Sequence, residues 1–285
     1  MKWLCIHGTG SSATIFQDQL AAVISHLDPS AHAFHFINGP IPCNPAAGLD
    51  LRYPDGPYYT WWTKATTAEI RAACQRLDDY LIDHNNNADP YDGVVCFSRG
   101  CLLLASYIWL HQTETPTKPL PFKSVIFICG GPVLSLLEEL GMAIPEKARA
   151  WDQRTKLALR ERASKDAILK HGKNRWTTPG ANGDAELDFD PDSPAPIDPA
   201  DVFGLDTAHM PPSLRIGIPT LHIYGRVDPR LPASLQLVYL SEAEGRMTFR
   251  HEGGHNVPRS EAAAERIARR IEEFAEGVVR RQSSY

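Results

Sequence analysis

The run Tyr91-Asp92-Gly93-Val94-Val95-Cys96-Phe97-Ser98-Arg99-Gly100-Cys101-Leu102-Leu103-Leu104 limits what this chain can fold into more than any other stretch. A short apolar strand turns at a serine and enters an apolar helix. A hydroxyl carried on so sharp a strand-to-helix turn stands clear of its own backbone, but only if the residues two before and two after it are small. Gly100 meets that demand in full; Cys96, a thiol where glycine is usual, meets it in part. The pattern becomes specific when an acid and a histidine follow in suitable contexts.

Both follow, in the order serine, acid, histidine. After the break at Pro219, Thr220-Leu221-His222-Ile223-Tyr224 reads as a buried strand, and Gly225-Arg226-Val227-Asp228-Pro229 as the loop at its end, which makes Asp228 the candidate acid. A weaker strand, residues 246–250, leads into His251-Glu252-Gly253-Gly254-His255-Asn256-Val257-Pro258, a glycine-bearing loop that offers His255 as the base. In an open parallel sheet the loops at the C-terminal strand ends line one crevice, so residues remote in sequence converge there. The expected fold class is therefore α/β, specifically the α/β-hydrolase fold. It has a mostly parallel central sheet, helices on both faces and an inserted cap. Ser98 is the expected nucleophile, His255 takes its proton and Asp228 holds the imidazole tautomer. Acyl transfer also needs donors for the developing oxyanion. The turn His7-Gly8-Thr9-Gly10-Ser11-Ser12 after the first strand supplies one in the backbone N–H of Thr9, to be paired with the N–H of Arg99.

The same periodicities place strands at residues 2–6, 33–37 and 124–129. Helices are expected from Ala13, over 66–84, over 101–111, and as a terminal amphipathic helix striped by Ile267, Ile271, Phe274 and Val278. Between about Val133 and Leu214 the strand rhythm stops, and a cap over the crevice is expected there within a single domain of 285 residues. Helix-compatible patterns fill 134–170, while 184–201 is acidic, proline-rich and read as irregular. Tyr58, Tyr59, Trp61 and Trp62 close a long loop that should reach the crevice, so they are candidate pocket residues.

Leu4-Cys5-Ile6-His7-Gly8, Tyr53-Pro54-Asp55-Gly56-Pro57-Tyr58-Tyr59-Thr60-Trp61-Trp62, Phe97-Ser98-Arg99-Gly100, Phe127-Ile128-Cys129-Gly130-Gly131, residues 218–225 with Asp228, and Gly253-Gly254-His255-Asn256-Val257-Pro258 together carry a likeness. On these residues the chain resembles the fungal-type family of serine hydrolases (FSH family), which includes esterases and thioesterases that release polyketides from their synthases. The likeness covers nearly the whole chain except a middle insertion. It implies Ser98, Asp228 and His255 as a triad in a small cytosolic ester or thioester hydrolase. The chain departs from the family at Cys96, usually glycine, and at Arg99, often glutamine. The second departure sets a cation beside the oxyanion donors, where it would bear on substrate choice.

A formal net charge of −5 gives no electrostatic reason to bind nucleic acid or an anionic membrane. Six scattered cysteines lack metal-ligand spacing and read as reduced and mostly buried. The first apolar run is too short for a signal peptide or a membrane span, so the cytoplasm is the expected compartment. His251-Glu252-Gly253-Gly254-His255 matches the zinc-protease string, yet its two glycines and Pro258 oppose the helix that zinc binding would need. Gly8-Thr9-Gly10-Ser11-Ser12-Ala13 matches a dinucleotide fingerprint, but the second strand ends in Phe36-Ile37-Asn38-Gly39 without the acid that binds ribose. No metal and no cofactor are expected. The expected partner is a small-molecule ester or thioester, free or carrier-bound. A pathway cyclase, a C–C bond-cleaving enzyme and a non-catalytic binder are the competing readings of the same residues.

Overall fold

Short runs of five or six residues, apolar except for the edge strand Arg246–His251, become the six parallel strands of one sheet. In the computed structural model, which describes residues 1–177 and 197–282, these are β1 (Lys2–Ile6), β2 (Ala33–Ile37), β5 (Gly93–Phe97), β6 (Ser124–Ile128), β7 (Thr220–Gly225) and β8 (Arg246–His251). Their order across the sheet is β2-β1-β5-β6-β7-β8, with every pairing parallel. The long loop before residue 60 also carries an antiparallel pair, β3 (Ile41–Pro42) with β4 (Tyr59–Thr60). The sequence reading missed it because two-residue strands show no periodicity.

Side chains alternate across each strand, and the two faces bury separate cores. Leu4, Ile6, Val94, Cys96, Val125 and Phe127 face one side and pack with α2 (Thr67–Asn87) and α3 (Arg99–Glu114). Trp3, Cys5, Val95, Ile126, Ile128, Leu221 and Ile223 face the other and pack with α1 (Ala13–Ile24) and α8 (Glu261–Gln282). Each helix buries its predicted stripe, Ile70, Cys74, Leu77 and Leu81 on α2 and Ile267, Ile271, Phe274 and Val278 on α8. Ser12 and Thr66 cap α1 and α2 by accepting the N–H of Ile15 and Glu69. This is the α/β-hydrolase arrangement.

After β6 the described residues leave the sheet and rejoin it at β7. They build α4 (Leu134–Glu139), α5 (Glu146–Arg162), α6 (Lys165–His171) and a 3₁₀ turn at Gly172–Trp176. Most of the acidic, proline-rich stretch 184–201 lies outside the described residues. Helix α7 (Leu231–Tyr239) follows β7; the sequence reading had no helix there. No helix among the described residues is long and apolar enough to cross a membrane.

Candidate active site

The Ser98 turn follows from close packing beneath it. Ser98 sits between β5 and α3 at φ 52°, a left-handed conformation that a serine adopts only where the surroundings enforce it. Its N–H is held by the carbonyl of Ile128 at 3.0 Å. A Cβ on Gly100 would stand 2.4 Å from the carbonyl oxygen of Ile6, so α3 can approach β1 only with glycine there. Cys96 is accommodated: its Sγ turns toward the carbonyl of Ile126, and the Cys101 thiol donates to the carbonyls of Cys96 and Ile128 at 3.1 and 3.3 Å. Both thiols are buried packing groups.

Three residues separated by up to 157 positions meet at the C-terminal edge of the sheet. His255 Nε2 lies 2.9 Å from Ser98 Oγ, and His255 Nδ1 lies 2.8 Å from Asp228 Oδ2. With Nδ1–H donating to the carboxylate, Nε2 is left as the acceptor that faces the serine hydroxyl. The Asp228 side chain is fully enclosed, and its Oδ1 accepts the N–H of Arg230 at 2.8 Å. Burial alone would push this carboxyl up. The charge and hydrogen bond of His255, the Arg230 N–H and the Cys129 thiol together outweigh burial and hold it below the ordinary range. The Asp228 and His255 loops are knit together, with Arg226 N–H on the carbonyl of His251 and Val227 N–H on that of Gly253. Cys129, at φ 50° after β6, stands beside the pair; its thiol is pushed up by burial and by the Asp228 charge.

The N-terminal turn faces Ser98. Gly8 lies so close that a Cβ would come within 3.2 Å of Ser98 Cβ. His7 is buried beneath the turn, its Nδ1 on the carbonyl of Gly8 and its Nε2 accepting Gly39 N–H at 2.9 Å; burial pushes its pKa down to about 4, which keeps it neutral. The N–H of Thr9 has no acceptor among the described residues, and the N–H of Arg99, first in α3, has no helical carbonyl to bond. Of the aromatic run, Tyr58 and Tyr59 are half-buried, whereas Trp61 and Trp62 are core residues. Trp61 Nε1 donates to the carbonyl of His7, and Trp62 lies under the Arg99 guanidinium at 5.2 Å.

Two contacts from the β6–β7 segment were invisible in the sequence. Arg230, nearly buried, pairs through Nη2 with Asp152 Oδ1 of α5 at 2.9 Å and donates through Nη1 to Thr155 Oγ1 at 2.7 Å. The Trp176 indole lies flat on Gly254, where a Cβ would stand 2.3 Å from Trp176 Cδ2. Lone arginines and tryptophans carry no pattern that names such partners. His251 and His255 lie at a strand end and in a loop, so the helical geometry that zinc proteases need does not arise. The ligating atoms of Cys129, Asp228 and His255 do fall within 4.8 Å of one another, but both nitrogens of His255 are already engaged.

The family model described as "Serine hydrolase (FSH1)" matches residues 1–267. "Esterase alnB" of Emericella nidulans is 31% identical over 273 residues, covering 91% of this chain and 91% of its own. "Hydrolase FUB4" of Fusarium oxysporum f. sp. lycopersici is 26% identical over 271 residues, covering 91% and 92%. Among solved structures, SOBER1 of Arabidopsis thaliana aligns over 96% of this chain and 99% of its own, at a TM-score of 0.47 and 10% identity.

Proposed function

Given that the chain belongs to the serine hydrolase (FSH1) family and is similar to a relative named an esterase, we propose that Ser98 is its nucleophile, His255 its general base and Asp228 the group that orients the imidazole. The observation that carries this reading is the unbroken pair of hydrogen bonds, 2.9 Å from serine to Nε2 and 2.8 Å from Nδ1 to the carboxylate. Ser98 Oγ attacks the acyl carbonyl carbon as its proton passes to Nε2, and the oxyanion that forms is held by the N–H groups of Thr9 and Arg99. The imidazolium then protonates the departing alcohol or thiol, which leaves an ester on Ser98. Water, deprotonated by the same nitrogen, releases the acid and restores the serine. Asp228, held ionised by its partners, stabilises the imidazolium in both halves.

The substrate is a small-molecule ester. The likeness to the FSH family supports an ester or thioester of an acyl or polyketide chain, free or carrier-bound, as the finer reading. Of the 133–214 segment, the described residues 133–177 and 197–214 are read as a cap within one domain, supported by the packing of Trp176 on Gly254 and of Ile168 against Gly48. Six free cysteines, five of them buried, support a reducing compartment such as the cytosol.

A fluorophosphonate probe tests the assignment. Stoichiometric labelling of the folded protein, lost in Ser98→Ala, is the expected result, and no labelling of the folded wild type would reject it. His255→Ala should lower kcat/KM by on the order of 10³-fold through loss of the base; near-normal turnover in that variant would remove His255 from the mechanism.

A further inference from the structure

We infer that Arg99 recognises a negatively charged group, a carboxylate or a phosphate, carried by the substrate outside the scissile bond. The inference rests on Ser98 being the nucleophile, since that is what makes its neighbour a substrate-facing position. Charged side chains withdrawn from water are normally matched by an opposite charge. Arg230 obeys the rule through Asp152, and at the surface Arg269 and Arg270 each face a glutamate. Arg99 does not. It is half-buried, and its described partners are Thr60 Oγ1 at 2.9 Å, the carbonyl of Trp62 at 3.0 Å and the Trp62 ring. No carboxylate pairs with it among the described residues. Burial pulls its pKa down, and the one titratable group that counteracts this is Cys43, a thiol.

Both hydrogen bonds use a single nitrogen, Nη1. Nε and Nη2 have no partner among the described residues, and these two parallel N–H groups form the side of a guanidinium that grips an oxyanion in bidentate fashion. Anchoring the β3–β4 pair to α3 needs only Nη1, so a purely architectural role leaves the other two nitrogens unexplained. The guanidinium is fixed to Thr60 beside the Gly8–Ser11 turn, and Tyr59 bridges to Ser11 in that same wall. A substrate whose carbonyl oxygen meets the Thr9 and Arg99 N–H groups would therefore run its chain past this cation.

The test compares three para-nitrophenyl esters of matched length. One is the glutarate half-ester with a free carboxylate, one its methyl-capped form, and one a phosphorylated hydroxybutanoate. The wild type should favour one or both anionic esters over the capped one by at least ~10-fold in kcat/KM, the worth of one charge-assisted hydrogen bond. In Arg99→Gln that ratio should fall toward unity, and in Arg99→Lys, which keeps the charge but loses the fork, it should fall only part of the way. The backbone N–H is common to all variants, so its contribution cancels in the ratio. Which anion is preferred tells a carboxylate substrate from a phosphate one. A wild type indifferent to both anions, or an Arg99→Gln ratio equal to wild type, overturns the inference. Should the glutamine variant fail to fold, the lysine variant and the wild-type ratio still decide. Titrating Ser98→Ala with monomethyl glutarate, which carries one carboxylate, and with uncharged dimethyl glutarate reads the anion site without turnover. Loss of the fluorophosphonate label and loss of anion preference are thus separate failures.

Discussion

The Ser98 arm of the site and the Asp228–His255 arm are held by different parts of the chain. Ser98 is fixed from below by the sheet: Gly100 against β1, the Ser98 N–H on β6, Gly8 in front. Asp228 and His255 are fixed from above as well, where α5 grips Arg230 through Asp152 and Thr155 and Trp176 presses on Gly254. The serine geometry is a local property of small residues on a strand-to-helix turn. The geometry of its two partners depends on a segment inserted far away in sequence, so the excursion between β6 and β7 braces the loops that carry Asp228 and His255.

That difference can be broken deliberately. Arg230→Ala removes a nearly buried cation and leaves Asp152, among the described residues, with Lys156 as its ion-pair partner, so a loss of about 3 kcal/mol is expected, at the low end for a broken buried pair. Turnover per folded molecule should fall at least ~10-fold, because the loop whose N–H holds Asp228 loses its support. Gly254→Ala should lower turnover through the other arm by displacing Trp176. Val94→Ala, a cavity in the sheet core, is the control: it destabilises yet should leave turnover per folded molecule within about twofold. Urea unfolding with active-site titration separates the two effects, and an equal loss of turnover in all three variants would erase the distinction.

The sequence was most readable where one residue's constraint lies within a few neighbours. Ser98 with Gly100, the buried strand before Asp228 and the glycine loop around His255 each announce themselves, and the three residues meet as expected. The paired tryptophans were less readable, since aromatic density marks a crevice and a core alike; Trp61 and Trp62 are buried. Arg230, Asp152 and Trp176 were unreadable, because their roles exist only after β6 and β7 have paired and brought the excursion back over the strand ends. Helix α7 escaped for a related reason: Leu231–Tyr239 is buried along most of its length and shows no amphipathic stripe to count.

Acid should weaken both arms together, because each rests on a neutral histidine. Burial holds His7, under the serine-facing turn, and His251, whose Nδ1 accepts the Gly253 N–H, at about 4, and His222 between β6 and β8 at about 3. Their folded values lie below the unfolded value near 6.5, so the unfolded chain binds protons that the folded one refuses. Stability is fully present above about pH 6.5 and is lost as pH falls toward 4, by up to ~2 kcal/mol per histidine at pH 5. Asp228, depressed in the fold, adds a loss of the same sign at lower pH. A urea midpoint that stays level between pH 7 and pH 5 would show that these imidazoles are not held neutral.

The smallest expected effect sits at Cys96, two residues before Ser98 on the strand side of the turn. At position 100 the backbone of β1 leaves no space for any side chain, whereas at position 96 a thiol is seated with a long 3.5 Å contact to the Ile126 carbonyl. The turn therefore asks for smallness on its strand side and for glycine only on its helix side. Cys96→Gly removes one buried sulfur and frees the unfolded backbone, a cost of about 1 kcal/mol. Turnover per folded molecule should stay within about twofold, since the carbonyl of residue 96 that accepts the Cys101 thiol is retained. If this variant instead loses folding and rate together, the Cys96 side chain supports the strained Ser98 turn itself, and that arm depends on side-chain packing as the Asp228–His255 arm does.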